Sequence, residues 1–405
     1  MSEKNEKRKV LLGVTGSIAA YKAAELARIF VSRGYEVRVA MTRSAQEFIS
    51  AMTMRAITSN DVMLDFWETE GRDGIEHIET ADWADAIVIA PATADCIAKL
   101  AQGISDNPLL AACLASKAPL VVAPAMNVNM LEHPGTQQNL SVLRDRGVRI
   151  IDPEEGELAC GWHGSGRLAA PWQIFYEVRR ALSDQDLAGK QILISTGPTR
   201  EAIDPVRFIS NRSSGKMGVA LAREAFRRGA EVTLVHGPCT IKVPTAVRCI
   251  PVTTAEEMRV ALHQQTYEGA VHPDVVVMAA AVTDYRPSEV AAQKIKRDGQ
   301  KPQLELVENI DILAELSGKR SSDCNPLFVG FAVETGEEED LLANVRSKIE
   351  KKKVDVIVGN FADDAFGSDT NRVWIVDRFG KQEEVAVTYK SRIANRILSV
   401  VSRLI

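Results

Sequence analysis

A glycine- and serine-containing turn near the start of the chain has the residue types of an anion-binding site. Gly16, Ser17 and Ile18 lie between an apolar run and a helix-like stretch, and free amides at a helix start favour an anion. The turn partly matches a dinucleotide fingerprint, but the next strand ends in Thr42 and Arg43 instead of a ribose-binding carboxylate. The sequence therefore favours a mononucleotide such as FMN over NAD. The alternative is that Ser17 only caps the helix.

Polar residues also follow later apolar runs. Thr93 lies in the segment PATAD, Ser105 in the turn GISDN and Asn127 in the segment PAMN. A doubly wound sheet binds its ligand at the carboxyl ends of its strands, so these side chains are expected near the first turn.

The elements that must position these residues follow one plan, which occurs twice. The plan is a strand, a crossover helix and a second strand, at residues 9–14, 19–32 and 36–41 and again at 191–195, 217–228 and 231–235. Further apolar runs lie at 86–90, 120–123, 274–279, 327–331 and 354–358. Such runs, separated by helices, predict parallel sheets covered on both faces.

The end of the chain adds a hairpin and a helix. Residues 372–376 and 383–387 flank a turn, and residues 390–405 carry an apolar stripe at helical spacing. The polar segment 183–190 separates the two halves. We therefore predict an α/β protein with two doubly wound, mostly parallel domains, residues 1–188 and 189–405.

Length and composition agree with a soluble two-domain protein. The chain has 405 residues, 45% of them hydrophobic and 25% charged. A net charge of −5 gives no field that would attract nucleic acid or an anionic membrane, so neither is an expected partner. No signal peptide or membrane-spanning run is found. The six cysteines have no CxxC spacing and the six histidines no HExxH motif, which predicts a cytoplasmic protein without a protein-built metal site.

Several motifs of the first half resemble one family, the homo-oligomeric flavin-containing cysteine decarboxylases. The motifs are GSIAAYK (16–22), HI (77–78), PAMNVNM (124–130) and ACG (159–161). Phosphopantothenoylcysteine decarboxylases are the most similar members, over residues 8–180. The resemblance implies a flavodoxin-like fold and FMN as the oxidant that turns the substrate cysteine into a thioaldehyde, from which CO2 leaves.

The same resemblance implies three catalytic roles. His77 helps to start the oxidation, Asn127 holds the substrate carboxylate, and Cys160 donates a proton late in the cycle. A carboxamide suits its role because it binds the carboxylate without the full charge that would oppose CO2 departure. The sequence departs from the family pattern at Trp162–His163 and at Leu168, in the flap over the substrate.

The second half is similar to phosphopantothenate–cysteine ligases over residues 188–405. The shared motifs are TGPTRE (196–201), DPVR (204–207), ISNRSSGKMG (209–218), AAAVTDY (279–285) and KIK (294–296). The similarity implies a Rossmann-like domain in which CTP activates 4′-phosphopantothenate as an acyl-cytidylate and the amine of L-cysteine then attacks. Mg2+ is expected on the triphosphate, held mainly by phosphate oxygens and water.

Site residues follow from the ligase resemblance. Asn211 and Arg207 are expected to bind the carboxylate and the acyl-cytidylate, and residues 213–215 a phosphate. The residues expected around the nucleotide are Ala280, Asp284, Lys294, Asn309, Ile310, Asp311, Phe331, Lys348 and Lys352. For Lys348 and Lys352 the alternative is a solvated helix end. Ile310 stands where proline is common in the family.

Together the two resemblances imply a bifunctional enzyme of coenzyme A biosynthesis, assembled as a homododecamer from trimers of the first half and dimers of the second. Two alternatives are an NAD-linked oxidoreductase and a non-catalytic regulatory subunit with a flavodoxin-like shell. The absence of a carboxylate after the second strand argues against the first. The presence of His77, Asn127, Cys160, Asn211 and Lys294 argues against the second.

Overall fold

The computed structural model describes residues 7–66, 76–157, 161–296, 303–320, 326–334, 338–361 and 368–405. Cys160, for which a catalytic role is expected, lies outside these residues. The chain forms two compact units, Met1–Ser183 and Asp184–Ile405, and each is described by itself.

The first unit contains a six-stranded parallel sheet. Its strands, with those of a separate hairpin, are β1 (Lys9–Val14), β2 (Glu36–Met41), β3 (Val62–Met63), β4 (Ala86–Ala92), β5 (Leu120–Pro124), β6 (Arg149–Ile150), β7 (Glu154–Glu157) and β8 (His163–Arg167). Its helices are α1 (Tyr21–Ser32), α2 (Ala51–Thr58), α3 (Glu76–Trp83), α4 (Ala94–Gln102), α5 (Pro108–Ala115), α6 (Val128–Glu132), α7 (Pro134–Asp145) and α8 (Pro171–Ala181). The sheet order is β3-β2-β1-β4-β5-β6, and β7 pairs with β8.

Both faces of this sheet are buried, as the apolar runs predict. Successive residues of β1 point to opposite faces, so Leu11 belongs to one hydrophobic core and Leu12 to the other. The strand order reverses between β1 and β4, which are direct neighbours. In a doubly wound sheet this reversal creates a crevice at the carboxyl ends of the strands.

The second unit contains an eight-stranded sheet with the same order in its parallel part. The strands of this unit are β9 (Gln191–Thr196), β10 (Arg200–Ala202), β11 (Phe208–Ser210), β12 (Glu231–His236), β13 (Arg248–Pro251), β14 (Val275–Met278), β15 (Tyr285–Pro287), β16 (Leu306–Glu308), β17 (Leu327–Glu334), β18 (Val356–Phe361), β19 (Thr370–Asp377) and β20 (Gln382–Tyr389). Its helices are α9 (Lys216–Arg227), α10 (Ala255–His263), α11 (Ile312–Gly318), α12 (Glu338–Lys352) and α13 (Lys390–Ser402).

The large sheet has the order β13-β12-β9-β14-β17-β18-β19-β20. Its first six strands are parallel, and β19 and β20 form the predicted antiparallel hairpin. The two-stranded sheets β10-β11 and β15-β16 are additional to the prediction. The C-terminal helix is confirmed, although it ends at Ser402, so Leu404 lies beyond it. The mostly parallel α/β fold class is confirmed for both units.

The segment before β9 packs on the second unit. Leu187 is fully buried, and its amide donates to the carbonyl of Arg228 at 3.0 Å. Asp186 forms an ion pair with Arg228 and accepts from the hydroxyl of Ser402 at 3.0 Å. The contacts therefore divide the chain between residues 183 and 184, whereas the sequence analysis placed the boundary between 188 and 189.

Within the described residues, no helix is both long enough and apolar enough to cross a membrane.

Candidate active sites

A cavity of about 630 Å³ opens at the carboxyl ends of β1, β4 and β5. It lies at the reversal of the strand order in the first unit. Its walls come from the turn after β1, the starts of α1 and α4, the turn into α6 and the hairpin β7-β8. The lining residues are Gly16, Ser17, Ile18, Ala19, Tyr21, Lys22, Thr93, Ala94, Ala125, Met126, Asn127, Met130, Glu157, Gly166, Arg167 and Leu168.

A buried threonine holds the two central strand ends together. The hydroxyl of Thr15 donates to the carbonyl of Pro91 at 2.7 Å and accepts from the amide of Thr93 at 3.0 Å. The Thr93 hydroxyl in turn accepts from the amide of Cys96 at 3.3 Å and caps α4. The floor of the cavity is therefore fixed by hydrogen bonds between its own turns.

The turn after β1 requires a glycine. A Cβ atom on Gly16 would lie 2.4 Å from Cβ of Ser44, closer than any real contact. The hydroxyl of the next residue, Ser17, accepts from the amide of Ala19 at 3.3 Å. This small turn leaves the cavity open beside a helix start, with Ile18 exposed at its rim. The hydroxyls of Ser17 and Thr93, at helix starts on the cavity wall, can donate to a phosphate group such as that of FMN.

The cavity wall carries charges of both signs. Lys22 and Arg167 are cations, and Glu157 is the carboxylate on the wall. The ammonium of Lys22 donates to the carbonyl of Leu168 at 3.4 Å, which joins α1 to the residue after β8. The hairpin that carries Glu157 and Arg167 also connects to the turn after β5, because the amide of Met126 donates to Gly166.

The predicted residues of the first half separate into two groups. Gly16, Ser17, Ile18, Thr93 and Asn127 line the cavity. Asn127 begins α6, and its carboxamide oxygen accepts from the amide of Asn129 at 2.9 Å.

The other predicted residues that the structure describes do not line this cavity. Thr42 caps a short 3-10 helix by accepting from Ala45. Ser105 is exposed in the turn after α4. The ring of His77 lies edge-to-face against Phe66, with 5.6 Å between the ring centroids.

A second cavity, of about 680 Å³, opens at the carboxyl edge of the eight-stranded sheet. It lies beside β14 and β17, and its walls come from the segments after β11, β14 and β16. The lining residues are Asn211, Met278, Ala280, Ala281, Val282, Thr283, Asp284, Tyr285, Glu308, Asn309, Ile310, Asp311, Ile312, Leu313, Phe331, Val333 and Lys352.

Carboxamide side chains hold the loops of this second cavity. Asn211 donates to the carbonyl of Val282 at 3.0 Å. Asn309 donates to the carbonyl of Thr283 at 2.8 Å, and its backbone amide donates to Asp284 at 2.8 Å. From the other side, Arg286 donates to the carbonyl of Glu308 at 2.8 Å and to the side-chain oxygen of Asn309 at 2.9 Å. The loop that would contact the nucleotide is thus fixed on two sides.

Beneath this loop lies a buried polar network that the sequence analysis did not identify. Thr283 interacts with the hydroxyl of Thr199 at 3.2 Å and donates to Glu201 at 3.3 Å. Glu201 is 5% exposed and also accepts from the first amide of α10, on Ala255, at 2.8 Å. Glu201 and Thr283 lie within the quoted motifs, but only the packing reveals that they meet.

Two lysines of the predicted nucleotide site, Lys352 and Lys348, are paired with carboxylates. Lys352 lines the cavity and lies 2.8 Å from Asp311. Burial raises the pKa of Asp311, but Lys352 and the amides of α11 lower it more, so that the net shift is downward. Lys348 lies 2.6 Å from Glu334 and does not line the cavity.

Arg207 and Lys294 lie outside the cavity wall. Arg207 binds Asp204 and the carbonyl of Ile295, and Lys294 is exposed beside that carbonyl. In contrast, Asn211, Ala280, Asp284, Asn309, Ile310, Asp311, Phe331 and Lys352 all line it. Among the described residues, no group of three or more His, Cys, Asp or Glu side chains could hold a metal ion.

Two doubly wound sheets, each with a ligand-sized cavity at its carboxyl edge, define an α/β protein with two candidate ligand-binding sites. Comparisons with known proteins agree with this class. The Flavoprotein family model matches residues 1–183, and the model described as DNA/pantothenate metabolism flavoprotein C-terminal domain matches residues 187–404.

Similar proteins extend over almost the whole chain. A coenzyme A biosynthesis bifunctional protein CoaBC from Haemophilus influenzae is 42% identical over 391 residues, which cover 95% of this chain and 94% of that protein. The CoaBC protein of Bacillus subtilis is 42% identical over 404 residues, covering 98% and 97%. A crystal structure of the C-terminal domain of a CoaBC protein is 37% identical and covers 54% of this chain and 97% of that one, with a TM-score of 0.45. The chain belongs to the family of coenzyme A biosynthesis bifunctional proteins CoaBC.

Proposed function

We propose that this chain catalyses two consecutive steps of coenzyme A biosynthesis. The second unit joins 4′-phosphopantothenate to L-cysteine with CTP, and the first unit decarboxylates the product, 4′-phosphopantothenoylcysteine, with FMN. The observation that carries the proposal is that each unit has its own cavity at the carboxyl edge of its sheet, lined by residues of the matching motifs. Family membership over both halves supports the same assignment.

In the first cavity, Gly16, Ser17 and Thr93 would hold FMN, which would accept two electrons from the substrate cysteine before CO2 leaves and return them to the enethiolate afterwards, so that the product is 4′-phosphopantetheine and the flavin is oxidised again. Asn127 binds the substrate carboxylate through its carboxamide until CO2 leaves. Lys22 and Arg167 provide positive charge for the anionic groups of the substrate. Cys160 donates the late proton.

His77, Thr42 and Ser105 require another explanation, because they lie outside the cavity of their own protomer. We propose that the decarboxylase site forms between subunits of a homo-oligomer, where these residues reach the cavity of a neighbouring copy. An isolated protomer would then lack decarboxylase activity.

In the second cavity, the nucleotide lies against the loops 280–285 and 308–313 and against Phe331. Lys352, which lines the cavity, would neutralise the triphosphate together with Mg2+ held mainly by the phosphate oxygens, whereas Lys348 and Lys294 lie outside the cavity wall. The carboxylate of 4′-phosphopantothenate attacks the α-phosphorus of CTP and releases pyrophosphate. Asn211 and Arg207 hold the resulting acyl-cytidylate while the cysteine amine attacks the acyl carbon and CMP leaves.

An exposed apolar patch on the second unit supports assembly through this half. We define the patch as the exposed side chains of Val206, Phe208, Tyr285, Leu304 and Leu306, which lie on or next to the small sheets β10-β11 and β15-β16, where β10 contacts β15. Apolar patches of this kind often form subunit interfaces. Dimers through this patch, combined with trimers of the first unit, would give a dodecamer. We place the enzyme in the cytoplasm, where its cysteines stay reduced.

The proposal is tested by incubating the protein with 4′-phosphopantothenate, L-cysteine, Mg2+ and CTP and following the products by mass spectrometry. The expected product is 4′-phosphopantetheine, with CO2 loss and strict dependence on CTP. Two variants act as matched controls for each other. Asn127→Asp should accumulate the undecarboxylated adduct, whereas Asn211→Asp should form no adduct but decarboxylate adduct that is supplied.

Failure of the proposal has a clear signature. If a folded, flavin-loaded preparation forms no adduct with any nucleoside triphosphate, the ligase assignment is wrong. If it also fails to decarboxylate supplied adduct, a non-catalytic regulatory subunit becomes the better explanation.

A further inference from the structure

A buried carboxylate joins two surface segments that carry candidate ligase residues. Asp204 lies between β10 and β11, and its side chain is 0% exposed. One carboxylate oxygen accepts from the amides of Val206 at 2.8 Å and Arg207 at 2.9 Å. The other accepts from Nε of Arg207 at 2.9 Å and from Nη2 at 2.5 Å. Asp204 therefore fixes both the backbone and the guanidinium of Arg207.

The same carboxylate binds the segment that carries Lys294. The amide of Ile295 donates to Asp204 at 3.1 Å, and Nη2 of Arg207 donates to the carbonyl of Ile295 at 2.8 Å. Four residues before Ile295, the amide of Ala291 donates to the carbonyl of Ile203, the residue before Asp204, at 3.0 Å. Asp204, Arg207 and Ile295 thus form a closed ring of hydrogen bonds.

Asp204 carries its charge throughout the neutral pH range. Burial raises its pKa, but the Val206 amide, the Arg207 side chain and the Ile295 amide lower it more, so that the pKa of this carboxyl lies well below its usual range. The ionised form can accept all of these hydrogen bonds, whereas a neutral side chain at this position would lose at least one.

The segments that Asp204 binds are exposed and do not belong to the hydrophobic core. Residues 205–207 and 292–296 all have exposed side chains. Another buried carboxylate of this unit, Asp355, differs in this respect. It accepts from the amide of Phe328 on the buried strand β17 at 2.8 Å, and from Arg320 and Arg378 at 2.6 Å each, so that one of its partners belongs to the core. A buried charge that orders surface residues suggests a role in a site.

We propose that Asp204 is a positioning residue of the ligase reaction, which holds Arg207 and the segment with Lys294 in one fixed arrangement. The inference rests on the proposed ligase function. None of the hydrogen bonds described above joins Asp204 to a residue of the nucleotide cavity wall. Asp204 therefore acts on the binding and reaction of the acyl substrate, 4′-phosphopantothenate. CTP binding does not depend on it.

The test compares Asp204→Asn with Asp355→Asn in the full-length, flavin-loaded protein. Asp204→Asn should lower kcat/KM for 4′-phosphopantothenate about 10- to 100-fold, the size of effect that a misplacement of about 1 Å produces. The KM for CTP should stay within about twofold of its wild-type value. Decarboxylation of supplied adduct is the internal control and should not change. Asp355→Asn should lower thermal stability and leave the ligase kinetics of the folded protein unchanged.

Two further measurements separate positioning from stability. Amide hydrogen exchange should become faster at residues 206–207 and 295 in Asp204→Asn and recover in part in Asp204→Glu. Combining Asp204→Asn with Arg207→Lys should cost little more activity than Arg207→Lys alone, because both changes disrupt one unit.

The outcomes distinguish this inference from the proposed function. If the wild-type protein forms no adduct, the ligase assignment fails and the inference fails with it. If the wild type is active and Asp204→Asn keeps its kcat/KM, the positioning role is refuted while the ligase function stands. A loss that is additive with Arg207→Lys, or one that Asp355→Asn reproduces, also refutes it. Where Asp204→Asn does not fold, Asp204→Glu supplies the same kinetic and exchange comparisons.

Discussion

Hydrogen bonds from side chains fix the loops of the second cavity. Asn309 holds its loop to Thr283, and Arg286 donates to the carbonyl of Glu308 in the same loop. Thr283 in turn interacts with buried Glu201. Buried polar groups are costly unless each has its hydrogen-bond partner, so this network favours a single loop arrangement.

The ion pair of Asp311 and Lys352 gives a prediction about pH. Asp311→Asn keeps an acceptor at the start of α11, because asparagine also caps helices well, but removes the negative charge next to Lys352. The pair is partly exposed, so we expect a loss of about 0.2–1 kcal/mol in the free energy of unfolding at neutral pH.

The sign of this effect follows from the lowered pKa of Asp311. The contribution is fully present above the pKa of the unfolded state, about 3.9, and is lost as the pH falls through the lower pKa of the folded state. Unfolding curves of wild type and variant should thus converge only under acidic conditions. Lys352→Gln should show the same convergence. A difference that persists unchanged down to about pH 2 would contradict the role of this pair.

At the level of single residues, the sequence was sufficient to predict which edge of the sheet binds the ligand. It was not sufficient to predict which side chains contact one another there. Ser17, Thr93 and Asn127 follow apolar strands, and the rule for doubly wound sheets was sufficient to group them. The partners of Lys348 and Lys352 could not be predicted, because Glu334 and Asp311 come from other elements. Asp204 and Glu201 lie within the quoted motifs, but the sequence assigned them no role, since their importance depends on burial.

Helix α9 packs unusually close to β9, and this approach requires a glycine. A Cβ on Gly218 would lie 2.3 Å from the hydroxyl of Thr196. Gly215, which precedes the helix with a φ of +78°, brings the turn 213–215 up to the same strand end. Elements that approach this closely leave no space for adjustment.

Gly218→Ala should therefore displace α9 and with it the turn expected to bind phosphate. We expect a loss of about 1–3 kcal/mol in stability, as for other overpacked cores, together with weaker ligase activity. The measurements are calorimetric unfolding and CTP-dependent adduct formation.

Gly318→Ala is the matched control, because nothing lies within 4 Å of its added Cβ at the end of α11. It should be neutral or slightly stabilising. Equal effects of the two substitutions on stability and on adduct formation would show that the close approach at Gly218 determines neither.

Among the elements, long strands were easier to predict than short ones. The run 327–331 was recognised, although β17 continues to Glu334. Strands β10, β11, β15 and β16 have three residues each, too few for a periodic pattern. Their pairing depends on contacts between segments far apart in the chain, and these short strands surround Asp204 and the apolar patch.

At the scale of the whole molecule, the apolar patch on the second unit makes assembly testable. Leu306→Glu places a charge at the proposed interface, where Leu306 is 46% exposed. The expected result is a decrease from dodecamers to trimers, measured by light scattering after size-exclusion chromatography. Decarboxylation of supplied adduct should persist, because the trimers remain intact.

Val387→Glu is the control, since Val387 is exposed on the edge strand β20, outside the patch. This substitution should leave the molar mass unchanged. If Leu306→Glu also leaves it unchanged, the patch is not a subunit interface.

The shared strand order of the two large sheets has an evolutionary consequence. Both cavities open at the carboxyl edge, and the described loops that enter the strands from the opposite edge line neither of them. Gly34 and Gly147 lie in such loops of the first unit, where φ angles of +84° and +82° favour glycine although a Cβ on either would meet no atom within 4 Å. We therefore expect this rim to tolerate insertions, and to diverge between species, more readily than the rim that carries the cavity.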